Sequence, residues 1–338
     1  MYIENNVIKK YVSLWLMLMF LLVALIIIVG GLTRLTDSGL SITEWQLFSG
    51  IVPPLNEDSW NKYFNLYKEI PEYKIQNYSM SLSDFKVIFW WEYIHRFLGR
   101  LIGISFILPL LFFSYKIGFK NLINLYLIFL LICFQGFIGW YMVSSGLVDR
   151  VDVSHFRLSV HLIIAFIILS LIFINYLHLI NIKFSKKNLN FFIPVFFLIL
   201  IFVQIVLGAF VSGLDAGKIY NSWPLMGSSF FPDDNNLSDL FKFNAFNDPS
   251  LVQFIHRNFA YIIILFYVII LFKIYNSKIT RFFYIIKIIG LCLFIQVLLG
   301  ILTLVSGAQI YLSSMHQISS IFLVSLCVYF FYINSKSN

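Results

Sequence analysis

Apolar runs of about twenty residues recur along the whole chain, and that recurrence constrains the fold more than any other feature. At a rise of about 1.5 Å per residue, such a run crosses the hydrocarbon of a bilayer as a helix. Eight fit: Val12–Leu32, Val87–Phe113, Leu122–Val143, Phe156–His178, Phe191–Val211, Val252–Phe272, Phe282–Val305 and Leu312–Tyr332. In lipid every backbone polar group must find its partner inside the protein, so each run is expected to be helical. The expected fold class is an all-α polytopic membrane protein with eight transmembrane helices. Only 12% of residues are charged, about half the share of a soluble domain, which excludes a soluble multidomain enzyme. The first run lacks a small-residue cleavage site and reads as a retained span.

The net charge of +8 sorts between the two faces and does not form a nucleic-acid patch. One face receives Lys9, Lys10, Lys116, Lys120, Lys183, Lys186, Lys187, Lys273, Lys278, Arg281 and Lys336. The other carries two long loops, Leu35–Phe85 and Leu214–Leu251, rich in Asp and Glu. The positive-inside rule then places both termini in the cytoplasm and the long loops outside; a composition heavy in Lys, Ile, Asn and Phe suggests a bacterial source, and hence a bacterial inner membrane. Expected partners are membrane lipid and no nucleic acid, and a homo-oligomer is compatible with the sequence. Cys133, Cys292 and Cys327 all lie within apolar runs, where a free cysteine behaves as a small hydrophobe.

The chain repeats itself. Gly30 to Pro54 aligns without a gap on Gly208 to Pro232, bringing Asp37 onto Asp215, Gly39 onto Gly217 and Trp45 onto Trp223. Further on, His95-Arg96 aligns with His256-Arg257, Gln135 with Gln296, Gly139 with Gly300, and His161 with His316. Residues 1–185 and 186–338 therefore read as two tandem pseudo-symmetric four-helix bundles, related by an axis along the membrane normal.

Of six histidines, His178 reads as a snorkelling group and His155 as an interfacial one. His95, His161, His256 and His316 each open an even-numbered span, two per half and at similar expected depth. Ionisable groups inside a membrane are costly and default to function. Two imidazoles per half leave a zinc ion short of ligands, whereas a porphyrin brings four nitrogens of its own. Haem ligation by His95 with His161 and by His256 with His316 is the expectation. Phe134, Phe137, Trp140, Phe156 and Phe259 offer flat apolar surface nearby. Arg96, Arg100, Arg157 and Arg257 are candidates for pairing with the propionates.

The halves also differ. Glu92 stands three residues before His95 on one helix face, and its counterpart before His256 is Gln253. Arg100 maps to Tyr261 and Arg157 to Leu312. Proton-coupled chemistry is expected at the first site, with Glu92 as acid, base or charge stabiliser, and electron transfer at the second. A Glu92 salt bridge to Arg96 or Arg157 is the competing structural reading.

At these positions the sequence resembles the haem A synthase family. The carriers are EYIHRFLGR at Glu92–Arg100, RLSVHL at Arg157–Leu162, QFIHRNFAY at Gln253–Tyr261 and MHQ at Met315–Gln317. The segment from Gly30 to Trp45 and its repeat from Gly213 to Met226 match as well. The resemblance implies an oxidoreductase that acts after haem O synthase and supplies terminal oxidases. It would oxidise the C8 methyl of haem O to a formyl group by successive hydroxylations with water, then dehydration. The electrons would pass to an unidentified acceptor. By the same resemblance His95 and His161 hold the substrate haem O, assisted by Glu92, while His256 and His316 ligate a resident haem b. Some members carry paired cysteines in the outer loops; this chain has none and resembles the cysteine-free branch. A bis-His cytochrome b that only carries electrons, or a haem transporter or chaperone, are the alternative readings of the residues.

Overall fold

The computed structural model describes residues 3–46, 49–180 and 189–335. Among them there is no strand, only an isolated bridge between Met226 and Ser229. Ten α-helices follow one another: α1 (Asn6–Leu35), α2 (Glu57–Lys68), α3 (Pro71–Ile75), α4 (Leu82–Ile117), α5 (Ile123–Asp149), α6 (His155–Ile180), α7 (Phe192–Gly213), α8 (Pro249–Asn276), α9 (Phe283–Val305) and α10 (Ile310–Ser335). Eight of these, all except α2 and α3, are long and apolar enough to cross a membrane. The expected division after residue 185, together with Lys183, Lys186, Lys187 and Lys336, lies outside the described residues.

Helices apolar all round bury one face in the bundle and give the other to lipid. On α1 the exposed stripe is Leu14, Leu18, Leu21 and Leu25, spaced three and four apart, while Leu16, Met19, Val23 and Ile27 are buried. The most deeply buried spans are α1, α6, α7 and α10, two from each half of the chain, and they pack on one another at the centre. Around them stand α4, α5, α8 and α9. One continuous core joins them, with Phe106, Phe166, Phe197, Phe282 and Phe330 among its fully buried rings.

α4 starts five residues earlier than hydropathy alone implies, at a capping box in which Ser81 and Asp84 satisfy each other's backbone N–H. His95 consequently lies thirteen residues into its helix, against six or seven for the other three histidines. The extra turns of α4 form a platform. Trp60, Phe64 and Tyr67 of α2 pack there against Phe85 and Phe89. The first long loop is thus a folded cap with its own small core. The second long loop contains only short 3-10 turns among its described residues.

Candidate functional site

The four singled-out histidines have one packing feature in common. Each presses its Cε1 edge on a glycine of a neighbouring helix: His95 on Gly30 of α1, His161 on Gly139 of α5, His256 on Gly208 of α7, and His316 on Gly300 of α9. A methyl group at those glycines would stand 2.8, 3.0, 3.2 and 3.0 Å from the ring, tighter than ordinary contact. Gly30 with Gly208, and Gly139 with Gly300, are the pairs that the repeat aligns. The glycines are therefore seats for imidazoles.

Backbone ties reinforce the seats. The Gln135 amide donates to the His161 carbonyl at 2.8 Å, and Gln296 donates to that of His316 at 3.0 Å. Gln204 does the same for His256 at 3.0 Å. His316 Nδ1 lies 3.0 Å from the carbonyl of Gln296. A hydrogen bond there fixes the tautomer and leaves Nε2 for a metal. The Nδ1 atoms of His95, His161 and His256 are buried without a partner.

The ring centres of His95 and His161 are 6.4 Å apart. Two imidazoles bound to one metal at about 2 Å each, with about 1 Å from nitrogen to ring centre, give roughly 6 Å. The first pair thus fits a shared iron. Among the described residues no group of three or more His, Cys, Asp or Glu is placed to hold a metal ion. Phe134, Phe137 and Trp140 form an exposed row along α5, whereas Phe156 stacks under Phe243 of the second loop.

Three of the four arginines reach carbonyls of the outer loops. Arg96 donates to the carbonyls of Ile42 and Glu44 at 2.8 and 3.3 Å and pairs through two of its N–H groups with one oxygen of Glu92. Arg257 donates to the carbonyls of Tyr220 and Ser222 at 3.1 and 2.9 Å, which the repeat aligns with Ile42 and Glu44. Arg100 donates to Gln46 O at 2.9 Å. Arg157 donates to Ser145 Oγ and lies over the Tyr141 ring. Arg96 and Arg257 are thus loop clamps. Trp45 covers Arg96, its ring centre 5.4 Å from the guanidinium.

Glu92 is buried, 3% exposed, and its lone pairs are committed. One oxygen accepts twice from Arg96, at 3.0 and 2.6 Å; the other accepts from Ser41 Oγ and Ile42 N, both at 2.7 Å. The salt bridge weighed at the sequence level is present, and it ties the loop to α4. Gln253 donates to the carbonyls of Ala216 and Tyr220 at 2.8 and 3.2 Å and does the same work in the second half.

His155, at the first residue of α6, is buried and wedged against Phe210 and Gly213 of α7. His178 rests edge-on against Tyr332. Three groups went unnoticed in the sequence. Arg34, at the end of α1, pairs with Asp37, Asp152 and Asp215 at 2.6, 3.5 and 3.2 Å and so joins the two repeat segments. Ser41 holds Glu92. Glu72, in α3, is a buried acid. For Arg34 a signal was available, since Asp37 and Asp215 align in the repeat and need a counter-charge.

Comparison with known proteins decides the family. A family model described as cytochrome oxidase assembly protein matches residues 13–328. A haem A synthase of Pelagibacter ubique is 52% identical, over 99% of this chain and all of its own length. The chain belongs to the haem A synthase family. A haem A synthase of Rickettsia bellii is 45% identical over 95% of this chain and 97% of its own, and one of Rickettsia felis 41% identical over 97% and 99%. The family membership agrees with the paired histidines and the eight spans described above.

Proposed function

We propose that the chain makes haem A from haem O, with His95 and His161 holding the substrate and His256 and His316 holding a resident haem b. The observation that carries this reading is the set of four glycine-seated imidazoles, one pair of which stands at the separation a shared iron requires. The repeat supports two such sites in two four-helix halves. The charge pattern supports an orientation with both termini in the cytoplasm and the sites near the outer face.

The overall conversion takes a methyl group and one net water to a formyl group, releasing four protons and four electrons. Two waters enter in successive hydroxylations and one leaves on dehydration of the gem-diol. Haem b, when bound, supplies reversible one-electron transfer. His95 and His161 fix the substrate so that its methyl edge is presented to the same protein groups in each round. Glu92, three residues before His95, supplies the negative charge nearest this pair on α4. With its oxygens fixed by Arg96, Ser41 and Ile42, it is placed to stabilise developing positive charge. The electrons leave to an acceptor outside the chain, and haem O synthase supplies the substrate.

Expression in a host that makes haem O but no haem A, followed by pigment extraction, tests the reading. Haem A should appear together with haem b bound to the purified protein. Two equivalent b-type haems and no haem A would favour an electron carrier instead. Haem bound loosely at both sites, with no conversion of added haem O, would favour a haem carrier.

A further inference from the structure

The first outer loop holds a second buried carboxyl, and nothing of the kind lies in the second loop. Glu72 of α3 is only 3% exposed. Tyr67 hydrogen-bonds to its carboxyl, and the Tyr67 hydroxyl in turn accepts from the Asn77 amide at 2.8 Å. The other oxygen, Oε2, is buried without a partner. An acid placed so deeply with an open lone pair costs stability unless it stays neutral or serves a purpose.

The surroundings of Glu72 are acidic. Glu92 on α4, Asp152 in the α5–α6 connection and Asp37 after α1 all act on it, and Tyr67 of α2 is its hydrogen-bond partner. Burial, then the negative charge of those three carboxylates, pushes the Glu72 carboxyl up to about 8. Such a group changes protonation near neutral pH, where an ordinary carboxylate does not.

The position suits transfer. Ile70 and Pro71, just before Glu72, line an open groove of about 540 Å³ together with Thr43 and Lys74. Thr43 follows Ile42, whose N–H is held by Glu92. The groove thus runs past Pro71, next to Glu72 in sequence, and Thr43, next to the Glu92 partner Ile42, and neither Glu72 nor Glu92 lines it.

We propose that Glu72 is a proton-holding carboxyl of the substrate half, standing between the Glu92 end of the site and outside water. This rests on the haem A synthase reading, in which each hydroxylation releases two protons. The neutral Glu72 acid gives its proton to outside water, and the carboxylate left behind takes up a proton released near Glu92 and becomes the neutral acid again. No electron moves in this step, and Glu92 keeps its ion pair with Arg96. The second site, given only electron transfer, has Gln253 in place of Glu92 and no counterpart of α3.

Infrared spectroscopy of the purified full-length protein, titrated from pH 6 to 10, tests the assignment directly. A protonated-carboxyl band should be present at neutral pH, fade as pH rises through about 8, and be missing from Glu72→Gln. Haem O conversion by Glu72→Gln should fall roughly tenfold, less than the hundredfold or more expected for a directly acting acid or base. Its pH profile should lose the inflection near 8, with haem b content unchanged. Glu72→Asp should restore part of the rate. Absence of the band in the wild type, or a Glu72→Gln variant with full rate and an unchanged profile, would overturn the proposal. The wild-type titration stands even if the variant does not fold. Failure of the wild-type protein to convert any haem O would instead remove the parent reading, and this one with it.

Discussion

Arg96 and Arg257 grip loop carbonyls that match one another in the repeat, yet the residue one turn before each differs. It is Glu92 in the first half and Gln253 in the second. In the second half a neutral amide and an arginine hold the loop by carbonyls alone. A charge at this position is therefore not needed to hold the loop. A buried charge is costly even when paired. The proposed chemistry at the first histidine pair would use this charge, and the folded cap with Glu72 packs on the same half.

The sharpest break of the comparison comes from the ligands. His161→Ala should abolish conversion of haem O while stable haem b remains. His316→Ala should strip haem b from the purified protein with the helical fold retained. Spectra of the two variants side by side decide it. Loss of the same pigment from both would mean that the halves are not specialised as proposed.

Glu92→Gln makes the first half resemble the second. A glutamine can still accept from Ser41 and Ile42, so the loop should stay docked. Haem b should be unaffected and conversion should fall about a hundredfold or more. Normal haem A output would show that the difference between Glu92 and Gln253 is architectural after all. The reciprocal Gln253→Glu should leave haem b binding close to normal, because Arg257 stands ready as its counter-charge.

The glycine seats offer a smaller, graded test. Overpacking of a tight contact costs about 1–3 kcal/mol. Gly139→Ala should weaken retention of the substrate haem several-fold, and Gly300→Ala that of haem b by a similar factor. Measured haem off-rates that do not change in either variant would mean that the rings can move aside and that the seats do not position them.

Much of this was legible in the sequence because the bilayer and the repeat impose simple periodicities. Runs of twenty apolar residues announced the spans. The aligned His-Arg pairs, with Gly30 on Gly208 and Gly139 on Gly300, singled out the candidate residues. What those glycines touch was not legible, since a seat is a contact between helices and leaves no local pattern. Nor were the loop contacts of Arg96 and Arg257 legible, because the carbonyls they reach belong to an outer loop folded back over the helix. The early start of α4 was hidden because Ser81 and Asp84 make a cap in a polar stretch that hydropathy discards. α2 and α3 were likewise lost within one long polar loop, although Trp60, Phe64 and Tyr67 recur at helical spacing and form one face.

The last difference between the halves concerns their loops and pH. In the first loop the folded state keeps a proton on Glu72 up to about 8, because burial and neighbouring carboxylates raise its affinity. The unfolded loop releases that proton near pH 4.3. The cap is therefore favoured at low pH and loses stability as pH rises toward 8, with no further loss from this group above it. The second loop behaves in the opposite sense. Hydrogen bonds from Ser229 and Ser228 hold Asp233 below the usual carboxylate range, and Lys242 and the Asn236 N–H do the same for Asp239. Those groups stabilise the loop at neutral pH, and their contribution is lost as pH falls through their lowered values. Limited proteolysis or hydrogen exchange, corrected for intrinsic rates, should find the α2–α3 cap opening first on the alkaline side and the 214–248 loop first on the acid side. Glu72→Gln should abolish the alkaline response alone. Parallel pH responses in the two loops would show that Glu72 is not the neutral, buried acid that its surroundings require.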